Sequence, residues 1–399
     1  MKSYFPTILK YSFAIAILSL TACTKQVKNE IEIEVSNNLD FARKEIVSVD
    51  RKQLEELLKE NKEKDIRIKK AGTAQYVVLQ WVDYNQDGKG DELLFQADVA
   101  AKASTTYVIV AESTMALPKS KLNTYSRFVP ERTDDYAWEN NKVGFRTYGP
   151  DAQKRIEQNI EGGTLSSGID IWLKKVDYPV IDKWYAENVK AAGYYHIDHG
   201  EGYDPYHVGA SRGNGGIGVW EKDSLYVSKN FTSYKTIAVG PLRTVFDLTY
   251  APWSEYSIHE TKRISLDLDS NFSKFEINFK ADKKVPNYTI GITLHDNKGE
   301  AKISKEQGVF RHWEAIDDAF VGEGIVIDPA IVDSAFAYVS KTKDQSNILV
   351  VTHPKNDKLT YYAGFAWTKS KQVNDAAGWD ALLLKQQKIV ANPLKITVK

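Results

Sequence analysis

Gln75-Tyr76-Val77-Val78-Leu79-Gln80-Trp81-Val82 and Glu92-Leu93-Leu94-Phe95-Gln96-Ala97-Asp98-Val99 bracket a turn-rich stretch, Asp83-Tyr84-Asn85-Gln86-Asp87-Gly88-Lys89-Gly90-Asp91. The flanks are rich in β-branched and aromatic residues, and the centre in Asp, Asn and Gly, so the unit reads as two strands and a connection. Asp83, Asn85, Asp87 and Asp91 with Gly88 imitate a calcium loop. The twelfth position, where that loop needs a bidentate glutamate, is Leu94, and strands flank it in place of helices. An Asx-rich hairpin turn is the reading adopted.

The same pattern continues outward. Strand-like runs recur at Thr106–Glu112, Lys142–Tyr148, Gly216–Trp220, Ser224–Val227, Thr236–Val239, Leu242–Tyr250, Lys262–Asp267, Lys274–Lys280, Tyr288–His295, Ala335–Val339, Asn347–Thr352 and Tyr361–Trp367. Helical periods are few: Tyr178–Ala192 and Asn374–Leu384, with Leu54, Leu57 and Leu58 hinting at a short solvated helix or long loop in the Lys/Glu-dense 51–70 segment. Ile31-Glu32-Ile33-Glu34-Val35 alternates like a half-buried strand. The expected fold is all-β, a large β-sandwich with a few short helices.

At the N-terminus, Lys2 and Lys10 precede an apolar run from Tyr11 to Leu20. A span needs about twenty apolar residues, so this run is a signal-peptide core. It ends in Leu20-Thr21-Ala22-Cys23, a lipobox, and Cys23 is the single cysteine of 399 residues. The expected organisation is a lipoprotein signal peptide at 1–22, a tether and N-terminal segment at 23–70 with palmitate-type lipidation on Cys23, and a catalytic sandwich at 71–399. Position two of the mature chain is Thr24, so outer-membrane placement is expected, on either face. Charge is balanced, with 53 basic and 53 acidic residues, so no basic excess points to nucleic acid and no such partner is expected. The 9 Trp and 22 Tyr suit either sugar stacking or an aromatic β core, and composition favours the core.

The titratable residues cluster. His196, His199 and His207 fall within twelve residues, in Tyr194-Tyr195-His196-Ile197-Asp198-His199-Gly200-Glu201-Gly202-Tyr203-Asp204-Pro205-Tyr206-His207, followed by Ala210-Ser211-Arg212-Gly213. A polar, glycine-rich loop entering a strand is the expected site. It could serve a metal, a glycosidase carboxylate pair, or proton abstraction beside a carboxylate followed by elimination. His-x-x-His alone is a weak metal signal, and no pair of acids stands out. The His/Tyr/Arg mixture favours elimination. No metal and no cofactor are expected.

A second constellation, Val129-Pro130-Glu131-Arg132-Thr133-Asp134-Asp135-Tyr136-Ala137-Trp138-Glu139-Asn140-Asn141, suits a sugar subsite. Arg243, in Gly240-Pro241-Leu242-Arg243-Thr244-Val245-Phe246, is a candidate clamp for a carboxylate or sulfate. Tyr250, seven positions on, points to the opposite sheet face. Arg311-His312-Trp313-Glu314 is a weaker echo, expected in a strand-end loop.

The runs Asp134–Asn140, His196–Gly202 and Gly240–Phe246 together resemble a largely uncharacterised lipoprotein family of polysaccharide-degrading bacteria. That family includes an oligosaccharide dehydratase acting on ulvan, the sulfated rhamnose–uronic acid polymer of green algae. The resemblance extends from about residue 30 to the end. It implies a lyase/mutarotase-like sandwich and a hydro-lyase that removes water from a non-reducing-end uronate to leave a 4,5-unsaturated sugar. On that reading His196, His199, Tyr203 and Tyr206 are catalytic. Arg243 or Arg212 neutralises the carboxylate, and Arg132, Asp135, Trp138 and Glu139 hold the adjoining sugar. The partners are anionic, uronate-containing oligosaccharides, sulfated or not, and a membrane through the lipid. The rival expectations are a polysaccharide lyase cutting by the same elimination, a non-catalytic glycan-binding lipoprotein and, last, a glycosidase.

Overall fold

The computed structural model describes residues 1–2, 30–206 and 208–399. The signal-peptide core, the lipobox with Cys23, and His207 lie outside the described residues. Among the described residues the chain is mostly β, in five sheets whose named strand pairs are all antiparallel. Four α-helices among the described residues accompany them: α1 (Glu55–Glu60), α2 (Pro150–Glu157), α3 (Ile181–Lys190) and α4 (Ala376–Ala391). Among the described residues no helix is long and apolar enough to cross a membrane.

Two small sheets come from the first part of the chain. The alternation at Ile31, Ile33 and Val35 buries one face of strand Glu30–Ser36, as the pattern requires. Its neighbours are Ser104–Ala111 and, closing the other edge, the C-terminal strand Lys395–Val398. The strand Glu92–Val99 pairs with Arg43–Asp50 and Leu79–Val82. Both sheets share one core with Leu54 and Leu57, which are fully buried, so the 51–70 segment is not a solvated helix or loop. The boundary expected after residue 70 falls inside this core, because Ile66–Lys70 pairs with Ser104–Ala111. The Asp/Asn residues of the 83–91 turn are spent on its own amides: Asp83 accepts from Gln86 and Gly88, and Asn85 accepts from Asp87.

The main core is larger. The inward residues of an eight-stranded sheet (Phe246, Leu248, Ile264, Phe275, Tyr361, Phe365) cluster with Ile217, Ile290, Ile348 and Val350 of a five-stranded sheet. They also meet Trp138, Phe145 and Ile171 of a second five-stranded sheet. On the far face of the eight-stranded sheet, α4 sets Trp379 and Leu383 against Gly322 and Gly324, where any Cβ would collide with them. Asp375 caps α4 by accepting from the Gly378 amide. The Arg311–Glu314 segment is mid-strand, within Val309–Ile316, and not a strand-end loop. Its alternation puts Phe310 in the main core and leaves His312 and Glu314 on the same side.

Seven of the nine tryptophans are buried and the other two are half-buried, so the aromatic content builds the core. A binding face of exposed tryptophans is not part of the described structure.

Candidate functional site

The loop expected to carry the chemistry runs from Tyr194 to Tyr206, between two buried polar clusters. Gly202 shapes it. It adopts φ +116°, and an added Cβ would stand 1.8 Å from the Leu173 carbonyl oxygen, so only glycine fits.

The first cluster centres on Arg146, which is 2% exposed. Its Nη2 lies 2.6 Å from both Asp170 and Asp204, its Nη1 lies 3.7 Å from Asp135, and all three carboxylates are buried. Tyr148, Trp172 and Tyr195 present ring faces to the guanidinium. Three acids cannot share one cation cheaply in a dry site. Burial lifts Asp135 to about 6 against the pull of Arg146 and Arg132. Burial, then Asp170, drives Asp204 well above the carboxylate range.

His196 stands at the rim of this cluster, with its side chain 48% exposed. Its Nδ1 lies 2.8 Å from the Asp204 carbonyl oxygen. A carbonyl can only accept, so Nδ1 carries the proton and Nε2 is left with its lone pair. Burial, aided by Arg146 and Arg132, outweighs that hydrogen bond and holds the imidazole pKa below its usual value, keeping the ring neutral. Arg132 donates from Nε to the Tyr195 hydroxyl at 3.2 Å, and the Tyr195 ring meets the His196 ring at 4.6 Å. A neutral base and a partly exposed cation are thus linked through one tyrosine. His199 is exposed and stacks on Tyr194 at 4.0 Å.

The second cluster takes up the two tyrosines. Tyr206 donates to Glu314 at 2.5 Å and stacks on His295 at 4.1 Å. Glu314 also sits 2.6 Å from His295 Nδ1. Behind them, His312 is fully buried with Nδ1 3.4 Å from Glu323. Tyr203 donates to Asp317. Burial first, and the carboxylates next, raise both phenols above their ordinary pKa, so both stay protonated.

These observations define a polar site on a β scaffold, and three findings relate the chain to known proteins. A family described as a domain of unknown function, DUF4861, matches residues 35–396. The chain belongs to the DUF4861 family. It is 44% identical over 396 residues to "Uncharacterized protein P7" of Formosa agariphila, covering 98% of this chain and 99% of that one. A solved structure described as a protein in the glycosyl hydrolase family 38 from Enterococcus faecalis aligns with TM-score 0.51 and 10% identity. It covers 93% of this chain but 48% of its own, so the chain spans about half the length of that structure, and the likeness is one of fold alone.

Several residues expected in the site of this DUF4861 chain are elsewhere. Trp138 is fully buried, its Nε1 donating to Ser273 at 2.9 Å, and cannot stack on a sugar. Glu139 is fully buried between Lys174 and the first amides of α3 and grips no hydroxyl. Asp135 belongs to the Arg146 cluster and is 0% exposed. Arg212 is 1% exposed, bonded to Ser167 and the Ile217 carbonyl, and burial lowers it to about 10. A core arginine of that kind cannot clamp an incoming anion. Arg243 is paired with Asp267 and lines a separate cleft of about 710 Å³ that none of residues 196–206 lines. Tyr250 lies in the main core, on the opposite face as the spacing requires. The fold keeps His196, Arg132, Tyr203 and Tyr206 near the two clusters. It adds Arg146, Asp170, Asp204, His295, Glu314 and Glu323. A signal for the last two existed: Phe310, His312, Glu314 and Val321, Glu323, Ile325 place charge at positions that strand alternation reserves for the core.

Proposed function

We propose that the chain is a hydro-lyase acting on anionic oligosaccharides that end in a uronate, of the ulvan type to which its motifs point, on a lyase/mutarotase-like sandwich formed by the eight-stranded sheet and its facing sheet. The observation that carries the reading is the linkage of His196 to Arg132 through Tyr195. Removing water across C4 and C5 of a uronate begins with loss of the C5 proton, beside the carboxylate. His196 Nε2, neutral and exposed, is the base. Arg132, 23% exposed and joined to His196 through Tyr195, pairs with the carboxylate and stabilises the negative charge that develops on it. The departing C4 hydroxyl takes a proton from a phenol of the same loop, Tyr203 or Tyr206, both held in the acid form. The C5–H and C4–O bonds break, the C4–C5 double bond forms, and the products are water and the unsaturated sugar. Lipid attachment at Cys23 and outer-membrane placement complete the proposal and keep the enzyme where imported oligosaccharides arrive.

The test is incubation of the chain with saturated uronate-ended fragments of ulvan, pectin and glycosaminoglycans. The expected result is rising absorbance of the conjugated double bond, with product mass lower by one water. The His196→Gln variant is expected to lose about 10²–10⁴-fold in rate. A shortened chain without loss of water establishes a polysaccharide lyase instead. Binding without turnover establishes a glycan-binding protein.

A further inference from the structure

We propose that His295, His312 and Glu323 bind one divalent transition-metal ion, with Glu314 behind them as the residue that orients His295. The three residues come from separate elements. His295 follows the strand Tyr288–Thr293, while His312 and Glu323 lie on paired neighbours in the eight-stranded sheet, directly opposite one another in register. One ligand atom from each lies within 4.8 Å of the others. Two imidazoles and a carboxylate form the donor set of open, three-ligand zinc-type sites.

Two further observations point to an ion there. His312 is 0% exposed, and its Nδ1, the nitrogen that faces Glu323, meets that carboxylate only at a long 3.4 Å. A buried imidazole nitrogen left so is costly unless something binds it. Finally, Glu314 and Glu323 bring two carboxylates into a nearly dry region, 7% and 1% exposed. With neutral histidines the group carries two negative charges, which one divalent cation balances. The surroundings match a metal's supporting shell: Glu314 sits against His295 Nδ1, and Tyr206 in turn donates to Glu314. His295, 22% exposed, puts the site at the surface end of the core, where a substrate oxygen or water can complete the coordination. The proposal stands whether or not the chain is a hydro-lyase, because its test reads metal and not turnover.

The full chain, without an affinity tag of histidines, is treated with EDTA, dialysed and titrated with Zn²⁺. Bound metal is measured by mass spectrometry of the digested protein, and melting is followed with and without Zn²⁺. One zinc per chain and a raised melting temperature are expected. Glu323→Gln and His295→Ala are expected to abolish both. Glu314→Gln is expected to weaken binding about 10–100-fold, and His353→Ala, an exposed histidine elsewhere, to change nothing. Should a ligand variant not fold, cobalt(II) bound to the wild-type chain reports the site by its visible ligand-field bands. Well under one equivalent of zinc on the wild type, or equal binding by Glu323→Gln and wild type, overturns the proposal.

Discussion

Replacing Glu139 by alanine separates a structural from a sugar-binding role at a position where the sequence suggested the latter. The carboxylate is fully buried, accepts from Lys174 Nζ at 2.5 Å, and takes the Val180 and Ile181 amides at 2.9 Å. Those amides open α3, whose N-cap residue, Val180, has no side chain able to cap it. Removing the carboxylate strands Lys174, also 0% exposed on its side chain, as an uncompensated cation. Breaking one side of a buried pair costs about 3–5 kcal/mol, and losing a helix cap adds about 1 kcal/mol. The expected loss is about 4–6 kcal/mol, a large share of a typical domain's stability of about 5–15 kcal/mol. Urea unfolding followed by tryptophan fluorescence reads it directly, since Trp184 lies on α3 and Trp172 packs against it. The double variant Glu139→Met with Lys174→Met is expected to recover all but the cap, because an apolar pair fills the same space without a stranded charge. A single-variant loss below about 1 kcal/mol, or a double variant no more stable than the single, refutes the reasoning.

Other outcomes follow from the same geometry. Asp135→Asn tests the Arg146 cluster by pH. The native carboxyl, lifted from 3.8 to about 6, holds its proton to higher pH than the unfolded chain. Raising pH from 4 to 6 therefore weakens the wild-type fold by about 2 kcal/mol at this group. The variant lacks that loss, so the stability gap between the two must shift across this window and level off above pH 7; a constant gap in urea melts at pH 4 to 7 counts against it. Trp138→Ala is expected to destabilise by about 3–5 kcal/mol through the cavity it leaves. Its glycan affinity, by calorimetry at a temperature where it is folded, stays at the wild-type level. Gly202→Ala, forced against the Leu173 carbonyl at positive φ, is expected to lower the melting temperature and release the 196–206 loop to proteolysis. Arg243→Ala is expected to lose stability with its Asp267 pair while turnover per folded molecule is unchanged.

The amino-acid sequence by itself determined the β class and most strand positions, because period-two burial is a local property. Glu92–Val99 coincides with its expected range, and the Asx turn before it closes on its own amides. It also located the loop that holds His196, Tyr203 and Tyr206, since glycine and clustered titratable residues need no partner to be noticed. α3 and α4 were legible in place but not in length, and α2 was not among the expected helices: α4 runs to Ala391, seven residues beyond the expected Leu384, because packing on the eight-stranded sheet extends it. What only the tertiary structure decided is which charged residues face solvent. Trp138, Glu139 and Arg212 share the composition of a sugar subsite with residues that could form one, yet each is consumed inside the fold by a partner distant in sequence: Ser273, Lys174 and Ser167. The same holds for His295, Glu314 and Tyr206, which lie up to 108 positions apart and meet only when two sheets close over a common core. Strand alternation says which face a side chain takes, but a partner across the core is set by the pairing of whole sheets, and that information is not local.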